Sequence, residues 1–235
     1  MTADLAVLVP SRGRPASVER LVRACALTCE ADTGLHFGFD EDDPQLQENL
    51  QAAAGWPVTV LPRMGLAAWT NRLAAGHTQT LPELKPRALA SIGDDMLPVT
   101  AGWDRLLLDA LPAGGGFCYP NDKRRDDIPE AVVISTPIVE ALGWMALPQC
   151  AHWFIDNVWA DLGRAAGCLV YCPDVTVEHL HPNVRPDVAR PDATYHEAAG
   201  SYDADLAAYQ RWRLRRMRAD AAAVRRVREA AAHPV

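Results

Sequence analysis

The sequence predicts an α/β fold whose central sheet is mostly parallel and doubly wound. Residues 5–9, 35–39 and 58–61 are short apolar runs, and each is followed by a segment that favours a helix. Continuous apolar runs are typical of strands that are covered on both faces, and strands that alternate with helices indicate a parallel sheet. Residues 87–92 form a fourth such run after the third helix. These four strands are predicted to form one sheet with helices on both of its faces.

The composition is that of an ordinary globular protein. The chain has 235 residues, of which 49% are apolar and 23% charged, and this suits one large domain with an appendage. A net charge of -7 argues against a general nucleic-acid binder, and six cysteines without zinc-finger spacing favour reduced thiols. The five-residue apolar run near the N-terminus is too short for a signal peptide or a membrane span, which predicts a cytoplasmic protein without a membrane partner.

The remaining elements are predicted from capping residues, apolar spacing and β-branched runs. Ser17 is expected to cap the first helix, which continues to residue 29. Residues 183–200 are polar and proline-rich and predict a linker, whereas residues 202–232 predict a long helical stretch with a basic side. Further helices are expected at residues 45–54, 66–75 and 102–111, together with one that starts at residue 136 and one that ends at about residue 166. Further strands are expected at residues 132–135, 168–172 and 175–182, and one more starts at residue 117.

Charged residues follow the predicted strands directly. Arg12 and Arg14 come after the first strand, Asp40 after the second, and Asp94 and Asp95 after the fourth. The carboxyl ends of parallel strands meet at one edge of a sheet, where ligands bind. Two adjacent anions at such an edge are costly unless a cation neutralises them, so this pattern predicts a divalent metal that holds a phosphorylated ligand. The alternative is a solvated Asp-Asp turn that the following proline closes.

With these residues in order, residues 4–182 resemble the family-2-like glycosyltransferases of the GT-A fold, and in particular small phage-type members. The resemblance implies a Rossmann-like nucleotide-binding half and an acceptor-side half. The loop after the first strand, which contains Pro10, Ser11, Arg12 and Arg14, is similar to the family's nucleotide loop. Asp40 corresponds to the acidic residue that meets the nucleobase, and Arg63 and Asn71 resemble the segment that closes over the nucleotide.

The same resemblance implies a metal site and a catalytic base. Asp95 corresponds to the aspartate that contacts Mn²⁺ or Mg²⁺, and Asp94 to the residue that helps to hold the nucleotide sugar. His179 matches the late histidine that completes the metal site, with His181 as the second choice. Asp156 matches the acidic residue at a helix start that is the catalytic base of inverting members.

Two features near these motifs depart from the family or extend the site. Gly93 stands where many family members carry another carboxylate. Trp144, His152 and Trp153 precede Asp156 and are candidates for the acceptor side, because aromatic rings can stack on a sugar face. A first-turn helical acid is also a common structural residue, which is the alternative for Asp156.

The function implied is metal-dependent, inverting transfer of a sugar from a nucleotide-diphosphate sugar, with UDP-hexose favoured, to a hydroxyl acceptor. Residues 1–182 would form the transferase domain, and residues 183–235 a proline-rich linker and a basic helical extension. Arg211, Arg215, Arg218, Arg225 and Arg226 on that extension make hydroxymethylated bases of phage DNA one candidate acceptor, in the host cytoplasm. The alternatives are a virion protein or glycan acceptor, and a non-catalytic module that binds nucleic acid or a virion. A nucleotidyltransferase is disfavoured because no lysine precedes Lys85.

Overall fold

One eight-stranded sheet organises the part of the chain that the computed structural model describes, which is residues 3–182, 185–186, 197 and 199–233. Its strands are β1 Leu5–Ser11, β2 Thr33–Asp40, β3 Val58–Leu61, β4 Ala88–Ser91, β5 Met96–Pro98, β6 Phe117–Asn121, β7 Val132–Ser135 and β8 Leu169–His179. The helices are α1 Pro15–Thr28, α2 Leu46–Ala52, α3 Leu66–Thr78, α4 Trp103–Ala110, α5 Thr136–Leu142, α6 Ile155–Ala166, α7 Tyr202–Arg215 and α8 Met217–Ala232. A short 3₁₀ turn, Pro82–Leu84, precedes β4.

The strand order β3-β2-β1-β4-β7-β6-β8-β5 creates a topological switch point beside β1. β1 pairs in parallel with β2 on one side and with β4 on the other, so the chain turns in opposite directions from this strand. Ligands of open α/β sheets bind in the crevice at the carboxyl ends of such strands. The predicted α/β architecture is confirmed, with β7 running antiparallel to both β4 and β6.

Two hydrophobic clusters cover the two faces of the sheet. One contains side chains of α1, α2 and α4, among which Trp103 is completely buried. The other contains side chains of α3, α5 and α6, together with Trp212 of α7 and Val224 of α8. The basic C-terminal helices therefore contribute apolar side chains to the main core.

Three local predictions are corrected by the structure. α1 begins at Pro15 rather than after Ser17, because the fixed φ angle of proline suits the first helical turn. The two strands predicted at residues 168–172 and 175–182 are one strand, β8 Leu169–His179, in which a register shift against β6 accommodates the exposed Pro173 and Asp174. The strand predicted over residues 87–92 is shorter, β4, and residues 96–98, for which no strand was predicted, form β5 and pair with β8.

The C-terminal helical stretch is also divided, into α7 and α8 at Arg216. The indole Nε1 of Trp212 donates a 2.8 Å hydrogen bond to Asp220 across this break, and both residues are buried. Neither glycine nor proline marks the break, so the sequence carries no signal for it.

Two further expectations concern the cysteines and the membrane. All six cysteines are free thiols and five of them are buried, as predicted. None of the helices in the described ranges combines the length and the apolar character that crossing a bilayer requires.

Candidate functional site

The strand ends at the switch point bring Ser11, Arg14 and Asp94 together. Ser11 closes β1, and its hydroxyl donates a 2.5 Å hydrogen bond to Oδ2 of Asp94. Nη1 of Arg14 lies 3.0 Å from Oδ1 of the same carboxylate. Burial raises the pKa of Asp94 to about 6, although the charge of Arg14 acts in the opposite direction. Both oxygens of Asp94 are therefore held by the last residue of β1 and the loop that follows it.

Asp95 faces His179 from the neighbouring part of the edge. Its Oδ2 lies 3.5 Å from Nε2 of His179 and 3.6 Å from Nη1 of Arg14. The two residues are held by backbone pairing, since Met96 of β5 is opposite His179 in β8 and the amide of Leu180 donates to the carbonyl of Asp95 at 2.9 Å. Burial lowers the pKa of His179, but its contacts with the carboxylates of Asp95 and Glu130 outweigh this effect and raise the pKa to about 9.

Gly93 gives the carboxylate of Asp95 the space that it occupies. A Cβ atom at residue 93 would lie 2.5 Å from Oδ1 of Asp95, far inside van der Waals contact. Glycine is thus the residue that permits this position of Asp95.

Asp40 forms a second buried anionic position at the end of β2. Its Oδ1 accepts a 2.6 Å hydrogen bond from the indole of Trp69 and a 3.3 Å bond from the amide of Met64. Nη1 of Arg12 lies 3.2 Å from Oδ2 of Asp40 and 2.5 Å from Asp42. Arg12 and Asp40 therefore meet at the sheet edge, as their positions after β1 and β2 predict.

The Asp95–His179 pair fits a divalent cation as a partial ligand set. Two ligands at right angles around an ion with bonds of about 2.1 Å are about 3 Å apart, close to the 3.5 Å found here. Within the described residues, no group of three His, Cys, Asp or Glu side chains has the arrangement of a metal site. An ion held by this pair would need oxygen atoms of water or of a phosphorylated ligand for its other positions, which is the usual behaviour of Mg²⁺.

Asp156 lies in the first turn of α6, after an unusual backbone conformation. Phe154, the residue before the helix, has a φ angle of +67°, which is strained for a side chain of this size. Its ring stacks on Tyr209 of α7, with ring centroids 5.5 Å apart. Burial raises the pKa of Asp156, and the nearby charge of Glu130 acts in the same direction. A carboxylate with a raised pKa is a stronger base at neutral pH.

Residues 151–154, here called the 151–154 loop, are held by Asp205 of α7. The carboxylate of Asp205 is 2% exposed and accepts hydrogen bonds of 2.8, 2.9 and 2.9 Å from the amides of Ala151, His152 and Trp153. Burial acts to raise the pKa of Asp205, but these donors and the Ser201 hydroxyl outweigh it and lower the pKa below its usual value. Asp205 of α7 thus fixes the segment that leads to Asp156.

The predicted acceptor residues lie in different surroundings. Burial lowers the pKa of His152, although the charge of Asp205 acts in the opposite direction. The ring of Trp153 instead contacts Tyr202 of α7 with centroids 5.5 Å apart.

Four further predicted residues lie outside the strand-end cluster, which we define as Ser11, Arg12, Arg14, Asp40, Asp94, Asp95 and His179. Arg63 is half-exposed and pairs with Glu197. The amide of Asn71 is bonded to the backbone of residues 145–146 through three hydrogen bonds of 2.7–2.9 Å. Trp144 and Asn71 both line a surface groove of about 270 Å³ between α3 and α5. Pro10 is part of β1, where it pairs with Gly38.

Sequence reasoning missed two residues that hold the site, Glu130 and Asp205. Glu130 belongs to a charged loop between β6 and β7, and its Oε2 lies 2.6 Å from Nδ1 of His179. Asp205 acts on a loop more than fifty residues earlier in the chain. Neither residue stands in a motif, and only the folded chain brings each to its partner.

No protein-family model matches the sequence, and no curated protein matches it. Solved structures do match. The mannosyltransferase PcManGT from Pyrobaculum calidifontis, in complex with GDP-Man and Mn²⁺, matches with a TM-score of 0.65 at 13% identity. The match covers 98% of this chain and 74% of the mannosyltransferase chain. This chain has the GT-A fold.

Two further structures with the GT-A fold agree with this result. Glucosyl-3-phosphoglycerate synthase from Mycobacterium tuberculosis, in complex with Mn²⁺, UDP-glucose and phosphoglyceric acid, has a TM-score of 0.59 at 12% identity, with 89% of this chain and 79% of that chain covered. TarS from S. aureus, in complex with UDP, has a TM-score of 0.56 at 10% identity, with 90% and 71% covered. The structural similarity establishes the fold, but at identities this low it does not establish the activity, which has to be argued from the site.

Proposed function

We propose that this chain is a divalent-metal-dependent glycosyltransferase that moves a sugar from a nucleotide-diphosphate sugar to a hydroxyl acceptor. The observation that carries the proposal is the Asp95–His179 pair, with Oδ2 and Nε2 3.5 Å apart, at the switch point of a GT-A fold. The similar structures from P. calidifontis and M. tuberculosis hold Mn²⁺ together with GDP-Man and UDP-glucose, respectively. That ligand chemistry is what Asp95, His179 and the neighbouring Arg14 would receive.

The strand-end cluster supplies the donor subsite in this proposal. Asp95 and His179 would hold Mn²⁺ or Mg²⁺, which neutralises the negative charge that develops on the leaving diphosphate. Asp94, fixed by Ser11 and Arg14, is assigned to the sugar, and Asp40 with Arg12 to the nucleobase. We propose a UDP-hexose as the donor.

Asp156 is assigned as the general base. The acceptor hydroxyl is a weak nucleophile, and a carboxylate that removes its proton as the new bond forms would accelerate the attack. Burial raises the pKa of Asp156, which suits this role. Attack from the face opposite the leaving group with a single base inverts the configuration of the anomeric carbon.

For the acceptor we propose a polyanion, and specifically the hydroxymethylated bases of phage DNA. Arg211, Arg215, Arg218 and Arg226 are exposed on α7 and α8, and guanidinium groups follow phosphate backbones. α7 begins beside the 151–154 loop, and Arg211 and Arg215 lie toward its other end. Transfer to DNA would weaken steeply with added salt, whereas a flat salt response would favour a virion protein or a glycan.

The proposal is tested by following the release of UDP and GDP from a panel of nucleotide sugars, with and without Mn²⁺. We expect Mn²⁺-dependent release from one donor class. Asp156→Asn should bind that donor normally but lose at least about 100-fold in turnover, as expected when a general base is removed. Full turnover of Asp156→Asn would overturn its assignment. Absence of release and of nucleotide binding would favour the non-catalytic module instead.

A further inference from the structure

Glu130 is a buried carboxylate with a partner on each oxygen, and the function proposed above does not use it. Its side chain is 9% exposed. Oε2 lies 2.6 Å from Nδ1 of His179, and Oε1 accepts a 2.6 Å hydrogen bond from Nη1 of Arg124. Since an ionised carboxylate only accepts hydrogen bonds, Nδ1 of His179 is the donor. The other ring nitrogen, Nε2, is thereby directed at Asp95.

The loop that carries Glu130 is fastened to the same histidine at a second point. The backbone carbonyl of Asp122 accepts a 3.0 Å hydrogen bond from the amide of His179. The side chain of Asp122, which is 2% exposed, accepts bonds of 2.7 and 2.8 Å from the amides of Arg124 and Arg125. Backbone and side chain of His179 are therefore both set by residues 122–130.

We propose that Glu130 is a positioning residue that holds the imidazole of His179 with Nε2 toward Asp95, so that the pair is arranged for a divalent cation before the cation binds. The inference rests on the proposed function, because it concerns the metal of that same site. A histidine ligand whose other ring nitrogen is bonded to a carboxylate is fixed in its tautomer and orientation, and removal of such a partner typically weakens metal binding 10- to 100-fold.

The test measures Mn²⁺ binding to the full-length protein by the electron paramagnetic resonance signal of free Mn²⁺, in the presence of saturating UDP or GDP. Glu130→Gln keeps the size of the side chain but removes its charge. The matched control is Glu178→Gln, since Glu178 precedes His179 in β8 but pairs with Arg185. Urea unfolding of each variant verifies that it is folded.

We expect Glu130→Gln to weaken Mn²⁺ binding by about 10- to 100-fold and Glu178→Gln to retain wild-type affinity. Equal Mn²⁺ affinity in Glu130→Gln and wild type would overturn the role of Glu130 while leaving the proposed function intact. No Mn²⁺ binding to the wild type with either nucleotide would overturn the proposed function itself.

If Glu130→Gln does not fold, Arg124→Met replaces it in the same experiment. This change removes the partner of Oε1 and leaves the Glu130–His179 contact free to shift. A weaker Mn²⁺ affinity than that of the wild type supports the positioning role, and an unchanged affinity overturns it.

Discussion

The strand-end cluster and the 151–154 loop are built in different ways. Ser11 and Asp40 end the parallel strands β1 and β2, and Asp94 and Asp95 come shortly after β4, so the sheet itself brings them together. The 151–154 loop instead depends on Asp205 and on the ring contact of Phe154 with Tyr209, both supplied by a C-terminal helix. The first region is a product of the sheet, whereas the second depends on a distant part of the chain. Changes in one region should therefore leave the other intact.

The largest effect is expected from Asp95→Ala, which removes one of the two proposed protein ligands of the metal. Changes to residues that merely support a metal ligand typically lower metal affinity about 10- to 100-fold. Removal of a ligand itself should therefore lower the Mn²⁺-dependent nucleotide affinity by more than about 100-fold. Calorimetric titration with Mn²⁺ and UDP or GDP measures the loss. Asp174→Ala, at an exposed position of the same strand as His179, is the control and should bind normally. An Asp95→Ala protein that binds like the wild type would remove the metal assignment.

Asp205→Ala should separate the two regions. It leaves three amides of the 151–154 loop without their acceptor and should lower the free energy of unfolding by about 2 kcal/mol. Amide exchange at residues 151–153 should accelerate, while Mn²⁺-dependent nucleotide binding is retained.

The matched control for Asp205→Ala is Asp220→Ala, which removes another buried C-terminal carboxylate, bonded to Trp212. This variant should lose stability without faster exchange at residues 151–153. A loss of nucleotide affinity in Asp205→Ala as large as that in Asp95→Ala would show that the two regions are not independent.

Gly93→Ala should disturb the strand-end cluster alone. The added Cβ would meet Oδ1 of Asp95 at 2.5 Å and displace the carboxylate from its position beside His179. We expect Mn²⁺-dependent nucleotide affinity to fall by about 10-fold, like other changes around a ligand, with little change in amide exchange at residues 151–153. Wild-type affinity would show that the site tolerates a different position of Asp95.

The smallest effect concerns the pH dependence of stability. The pKa of Asp205 is lower in the folded protein than the value of about 3.9 for an unfolded chain, because the loop amides stabilise its charged form. Its contribution is therefore complete above this value and is lost as the pH falls through the folded pKa.

The difference in unfolding free energy between wild type and Asp205→Ala should be constant from pH 7 to pH 5 and shrink below about pH 4. Urea unfolding at a series of pH values measures it. A difference that persists unchanged at the lowest pH would contradict the charged-acceptor account.

The sequence predicts the strand-end cluster well for a physical reason. Apolar runs mark the strands, and a residue that follows a parallel strand can reach only one edge, so the meeting of Arg12 with Asp40 was predictable. Periodicity also indicated helices near the C-terminus. The roles of these residues in binding and catalysis stay predictions.

The remaining contacts could not be predicted, because they join distant segments through side chains without a motif. Glu130 meets His179 across 49 positions, and Asp205 meets His152 across 53. The family resemblance placed Asn71 in the segment that closes over the nucleotide, and the sequence did not indicate that its amide is bonded to the backbone of residues 145–146. Local sequence thus determines most of the strand-end cluster, whereas the contacts of Asn71 and of the 151–154 loop depend on the folded chain.

The most direct test of the central claim is calorimetric titration of the unmodified chain with UDP and GDP, each with and without Mn²⁺. We expect that one nucleotide diphosphate binds and that its affinity depends on the metal, because Asp95 and His179 would fill two positions around the ion and the diphosphate would supply others. Binding that is equally tight without Mn²⁺, or no binding of either nucleotide, would contradict the assignment of this edge as a metal-dependent donor site.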